Sequence, residues 1–238
     1  MPNNFFITGM PQSGKTTLLR DLAIALLKKG VNVGGFISPV EKKYGVRESF
    51  FVEDIETRKT APLAIVGGNG PLVGKYNVDV KSFESIVMRS LNNAAKYDVI
   101  IVDEIGHMEM KSTAFQDALA DLMVSNTPVI ASIQGSYVNT YGIYGRVYNL
   151  TDTNKGMTYD SILRNILKVL GPATKVSVKK VEAVTAKAPK PEVRKKVKAL
   201  KKAKPAKVQE QKHNKPVKLE GKEGKKGLLH SIKKLFGI

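Results

Sequence analysis

The stretch ITGMPQSGKTTLLRDL, Ile7 to Leu22, constrains this chain more than any other. It carries no charge until Lys15, which is followed by two threonines. Asn4–Thr8 reads as a short apolar strand, and Leu19, Leu22, Ala23 and Leu26 recur at helical spacing over Thr16–Lys29. Between them lies Gly9-x4-Gly14-Lys15-Thr16, the spacing of a P-loop, which chance supplies in about one chain in a hundred of this length. Gly9 and Gly14 permit backbone conformations that a side chain obstructs. The loop can then turn its N–H groups toward phosphate oxygens at the positive end of the helix dipole. On this reading Gly9, Met10, Pro11, Gln12, Ser13, Gly14, Lys15 and Thr16 form a phosphate cradle. Lys15 pairs with the β- and γ-phosphates, and the Thr16 hydroxyl ligates Mg²⁺.

A second segment completes the pattern. VIIVDEIG comprises Val99, Ile100, Ile101, Val102, Asp103, Glu104, Ile105 and Gly106: four apolar residues running into two carboxylates. Adjacent acids at the end of a buried strand are costly unless positive charge faces them. Magnesium with nucleotide phosphates supplies it, so Asp103 joins Thr16 as a metal candidate, as a Walker-B acid does. Glu104 is placed to orient and deprotonate a water, and with Lys15 makes the catalytic pair. Secondary candidates are Ser132 and Gln134 at the end of a later strand, Glu109 in the loop after Glu104, and Arg146 or Lys155 as a neutralising cation.

The surrounding pattern is α/β. Strands are expected at Val31–Ser38, Phe50–Asp54, Ala61–Val66, Asp98–Val102, Pro128–Ile133 and Arg146–Leu150. Helices are expected around Phe83–Ala94, over Ser112–Val124 and over Thr158–Leu170. Such alternation predicts a mainly parallel sheet covered on both faces, with ligands beyond the carboxyl ends of the strands. No 18-residue apolar span occurs and MPNNFFITG lacks the build of a secretory signal, so a cytoplasmic enzyme is expected. The absence of cysteine excludes disulfides and thiolate metal sites, and His107, His213 and His230 are too scattered to suggest a cluster.

Competing nucleotide chemistries leave weaker traces. Asp103-Glu104-Ile105-Gly106 matches the DxxG of GTPases, and Asn154-Lys155 stands where a guanine-reading NKxD would lie. The position that should be Asp is Met157, however. A small-molecule kinase would add an arginine-rich lid, whereas Arg20, Arg47, Arg58, Arg89, Arg146 and Arg164 are spread singly. The stretches Ile7–Leu18, Val31–Pro39, Val73–Val80 and Ile101–Phe115, with Asn154-Lys155, resemble the THEP-type nucleoside-triphosphatases in order and interval over about Asn3–Gly171. The resemblance implies a RecA-like three-layer fold, Mg²⁺ dependence and hydrolysis of ATP, GTP and other nucleoside triphosphates with little base preference. Three departures stand out: Gln12 replaces a loop glycine, Pro39-Val40-Glu41-Lys42 replaces an acidic-Val-Arg segment, and Ser49 replaces a glycine.

Charge divides the chain at Gly171-Pro172, a helix stop. Residues 1–171 hold 18 Lys+Arg and 16 Asp+Glu, whereas 172–238 hold 21 and 5. Residues 172–226 read as a disordered Lys/Ala/Pro-rich basic linker. GLLHSIKKLFGI, 227–238, places Leu228, Leu229, Ile232, Leu235 and Phe236 on one face of an amphipathic helix. That combination suits an anionic membrane surface, nucleic acid or a protein partner.

Overall fold

The computed structural model describes residues 3–43 and 46–171. The linker and C-terminal helix expected beyond Gly171 lie outside the described residues. The elements run β1 (Asn4–Thr8), α1 (Lys15–Lys28), β2 (Val33–Ile37), β3 (Val40–Lys43), β4 (Val46–Asp54), β5 (Thr60–Val66), β6 (Leu72–Val73) and β7 (Tyr76–Val78). They continue with α2 (Val80–Leu91), β8 (Val99–Ile105), α3 (Thr113–Met123), β9 (Val129–Ile133), α4 (Val138–Tyr141), β10 (Gly145–Asn149) and α5 (Lys155–Leu170).

All ten strands join one sheet in the order β10-β1-β9-β8-β2-β4-β5-β7-β6, with β3 beside β4. From β10 to β2 every pairing is parallel, for example Phe5 opposite Ile130 and Gly35 opposite Ile101. From β2 outward every pairing is antiparallel. The expectation of a mainly parallel sheet therefore needs correction: the sheet is mixed, half parallel and half an antiparallel wing. Short connections such as Ile55–Lys59 between β4 and β5 reverse the chain directly and leave no length for a crossover helix.

Alternation along the central strands divides the core in two. Phe5, Ile7, Val33, Val99, Ile101 and Ile130 face α1 and α5. Phe6, Phe36, Ile100, Val102 and Ala131 face α2 and α3, giving three layers. On the second face Phe36, Phe83 and Phe115 meet edge to face, with centroids 5.4–6.0 Å apart. Side-chain caps begin two of the helices there: Asp79 accepts from the Ser82 N–H of α2, and Ser112 from the Phe115 N–H of α3. Among the described residues no helix is long and apolar enough to cross a membrane.

Candidate active site

The parallel half places its carboxyl ends along one edge, and the loop after β1 opens that edge. Gly9 has φ +144°, and a Cβ there would meet the Leu150 carbonyl at 2.5 Å, so only glycine lets the loop leave the strand in this direction. Gly14, at φ +94°, is the N-cap of α1. Gln12 also occupies the left-handed region, at φ 65°, where a glycine would be unstrained. A non-glycine residue there costs about 1–2 kcal/mol, so this departure is a real strain in the loop. Met10 is 76% exposed on the loop's outer side.

Lys15 folds back over its own loop, its Nζ donating to the carbonyls of Gly9 (3.1 Å) and Met10 (3.2 Å). The same ammonium lies 3.8 Å from Glu104 Oε1. The expected strand end at Val102 also needs correction, because β8 continues through both acids to Ile105. Val99, Ile100, Ile101, Val102 and Ile105 are fully buried in the two cores. They carry the acids to the site and offer no side chain to a ligand, contrary to their inclusion among the nucleotide-binding candidates.

Asp103 can continue the strand because polar partners surround it. It is only 2% exposed, yet Ser132 Oγ donates to Oδ1 at 2.6 Å and the Ser38 N–H to Oδ2 at 3.0 Å. The Thr16 hydroxyl is a third hydrogen-bond partner of the carboxylate, and Ser38 Oγ donates to the Asp103 carbonyl. Burial pushes the Asp103 carboxyl above its ordinary value; the bonds from Ser132, Ser38 and Thr16 and the charge of Lys15 oppose that rise. A buried carboxylate bonded to a threonine hydroxyl suits a hard cation that takes oxygen ligands. No cluster of three His, Cys, Asp or Glu side chains stands ready for a metal among the described residues. That donor set matches Mg²⁺, which binds through one or two protein oxygens plus substrate phosphates. Ser13 Oγ is buried in the loop without a partner, as expected of a group whose acceptor is a ligand.

Glu104 has a different setting. It accepts from Gln134 Nε2 at 3.0 Å, while Gln134 Oε1 accepts the His107 N–H at 3.1 Å. Ser132 and Gln134 thus each orient one of the two acids. Glu109 is buried, and its carboxyl lies 3.0 Å from where a Gly106 Cβ would stand. Burial pushes it well above its ordinary value, reinforced by the charges of Glu104 and Asp103. Arg146 is exposed and pairs opposite Phe5, toward the amino ends of the strands and away from the acids. Lys155 opens α5 beside Gly14. Sequence reasoning missed Ser38, whose signal was the serine ending GGFIS, a strand adjacent to the one bearing Asp103.

Similarity to known proteins identifies the family. A family model described as NTPase matches residues 4–167. Nucleoside-triphosphatase THEP1 of Pyrococcus abyssi is 38% identical over 168 residues, covering 70% of this chain and 94% of that protein. THEP1 of Methanocaldococcus jannaschii is 36% identical over 163 residues, covering 68% and 96%. Among solved structures, THEP1 from Aquifex aeolicus superimposes with a TM-score of 0.57 at 30% identity, covering 70% of this chain and 98% of that one.

Proposed function

This chain belongs to the NTPase family and is a nucleoside-triphosphatase, and we propose that its hydrolytic chemistry is divided among Lys15, Thr16, Asp103 and Glu104. The observation that carries the division is the meeting of the two motifs: Lys15 Nζ stands 3.8 Å from Glu104, and Thr16 is bonded to Asp103. Thr16 and Asp103 would hold Mg²⁺, which when bound neutralises charge on the β- and γ-phosphate oxygens. The loop N–H groups and Lys15 bind the phosphates and stabilise charge on the oxygen that bridges Pβ and Pγ. Glu104, aligned by Gln134, takes a proton from the attacking water as its oxygen bonds to Pγ and the bridging P–O bond breaks, leaving nucleoside diphosphate and inorganic phosphate. Both ends of the Asn154 amide are engaged in its own loop, by the Thr151 N–H and the Asn149 carbonyl at 2.9 Å each. It is therefore not poised to read guanine, which supports weak base preference. Phosphate release from ATP, GTP, CTP and UTP, with and without Mg²⁺ and with no acceptor present, tests the reading. Turnover of all four, within about tenfold and lost without the metal, is expected, a spread of roughly 1.4 kcal/mol. Strict GTP selectivity or a requirement for an acceptor would overturn it.

The proposal extends to the tail. Its excess of 21 basic over 5 acidic residues and the apolar spacing of Leu228, Leu229, Ile232, Leu235 and Phe236 support attachment of a cytoplasmic enzyme to an anionic membrane surface. Sedimentation with anionic but not neutral vesicles, reversed by salt and lost on deleting 227–238, is expected. Salt-sensitive binding to duplex DNA that survives the deletion would make the tail a nucleic-acid tether instead.

A further inference from the structure

Lys155 is the cation that the chemistry above leaves unused, and the fold fixes its place beside the phosphate loop. Leu150 N donates to the Thr8 carbonyl at 2.8 Å, extending the β1–β10 pairing one step past the strand. That step brings the 150–155 segment against the P-loop, where the Leu150 carbonyl fills the space a Gly9 side chain would need. Asn154 clamps the segment from both ends, so the origin of the Lys155 side chain is held. From there the side chain lies against Gly14: a Cβ on that glycine would stand 3.5 Å from Lys155 Cε and 3.7 Å from Nζ. Gly14 immediately precedes Lys15, so the Lys155 ammonium lies beside the backbone that cradles phosphate.

That ammonium bonds Asp152 Oδ1 at 2.8 Å. The Asp152 side chain is 88% exposed, and an ion pair so open to water is weak and readily exchanged. A phosphate carries more charge than the carboxylate it would displace. The reacting end of the site is marked by Lys15 against Glu104. Lys155 lies on the Gly14 side, so it meets phosphates that stay with the leaving group.

We propose that Lys155 is a second substrate-binding lysine, which exchanges Asp152 for the non-transferred phosphates of the nucleotide and sets affinity without driving bond cleavage. The proposal rests on the P-loop reading above. An interaction equal in the ground and transition states changes KM and leaves kcat alone.

The test uses the full chain, calorimetric binding of ADP and of ATP without Mg²⁺, and steady-state phosphate release with Mg²⁺. Lys155→Met keeps the stem over Gly14 and removes the charge. It should weaken ADP and ATP alike by about tenfold and raise KM by a similar factor, with kcat within about twofold. Lys155→Arg should restore most of the affinity. Asp152→Asn removes the competitor and should tighten both nucleotides by about two- to threefold, an effect opposite in sign to any loss of fold. ADP binding unchanged in Lys155→Met, or a fall in kcat at constant KM, overturns the assignment. Lys15→Ala separates the two levels. If it binds nucleotide as the unaltered chain does, the P-loop reading fails; if it is impaired while Lys155→Met is normal, only the present inference fails.

Discussion

The two halves of the sheet each bury an aspartate, and they use it for different ends. In the parallel half Asp103 is 2% exposed and is bonded by Ser132, Ser38 and Thr16. In the antiparallel wing Asp54 ends β4 at 1% exposed; its Oδ1 accepts from the Thr57 N–H (2.6 Å), Thr57 Oγ (2.8 Å) and Arg89 (3.3 Å). Asp54 thus has its cation built in, as a guanidinium from α2. Asp103 is instead bonded by neutral donors, with the ammonium of Lys15 as a nearby positive charge, which suits the metal-holding role proposed for it. Strand direction accounts for the division. Parallel strands bring their carboxyl ends to one edge, so β1, β2, β8, β9 and β10 together supply Gly9–Thr16, Ser38, Asp103, Glu104, Ser132, Gln134 and Lys155. Antiparallel strands split their ends between two edges and instead give α2 a floor to pack on. Function should therefore be separable from stability by half.

The largest expected effect lies on the wing's side. Phe83 of α2 is fully buried against Phe36 and Phe115, so Phe83→Ala should cost about 3–5 kcal/mol of folding free energy. Urea unfolding measures the loss, and phosphate release per folded molecule should be unchanged. A lower rate per folded molecule would show that the wing reaches into the chemistry. Next comes Glu104→Gln, which keeps the contact with Gln134 by a flipped amide and removes the base. It should lose about 10²-fold or more in kcat, roughly 2.7 kcal/mol, while unfolding at the same urea concentration. Normal turnover would end the assignment. Glu109 would be a poor replacement, because burial works against its charged form.

How far the sequence predicts these outcomes also divides by half. Asn4–Thr8, the P-loop and the acids of β8 are legible because each combines an apolar run with residues that only a particular chemistry requires together. The wing is not. Strand direction leaves no mark on periodicity, and Leu72–Val73 and Tyr76–Val78 are too short to show any. The span read as Phe50–Asp54 starts at Val46, where its first residues pair with β3. At the site, the reach of β8 past Val102 was hidden for a different reason. A carboxylate inside a strand looks like the end of it unless Ser38 and Ser132, 65 and 29 residues away in sequence, are known to meet it. Lys155 was visible as a cation, but its contact with Gly14 depends on the β1–β10 pairing.

Ser132→Ala sharpens the contrast at intermediate size. It removes the 2.6 Å donor to Asp103 but leaves Ser38 and Thr16 in place. A hydrogen bond to a charged group contributes about 1.5–3 kcal/mol, and under the proposed mechanism a metal held by Asp103 would replace part of that. The expected result is about a tenfold loss of kcat/KM at limiting Mg²⁺, shrinking as the metal is raised. A loss independent of Mg²⁺ would place the hydroxyl on substrate instead of on the metal-binding acid.

The smallest effect should come from Arg89→Ala, the equivalent cut beside the wing's own aspartate. Arg89 bonds both Asp54 (3.3 Å) and Glu56 (2.6 Å), and its side chain is nearly half exposed. Glu56 pushes the guanidinium further into its charged form, but water screens this bond. Asp54 keeps both Thr57 bonds after the arginine is gone, so its carboxylate is not stripped of partners. Tyr97 retains its 2.7 Å bond to Glu56, which holds that end of the cluster. The loss should therefore be about 1 kcal/mol or less, most visible at low salt and fading as salt rises. Hydrolysis at saturating ATP and Mg²⁺ should not change. Were Arg89→Ala to slow turnover at unchanged stability, a cation some distance from the strand ends would be acting on the phosphates. The division between a chemical half and a structural half would then be wrong.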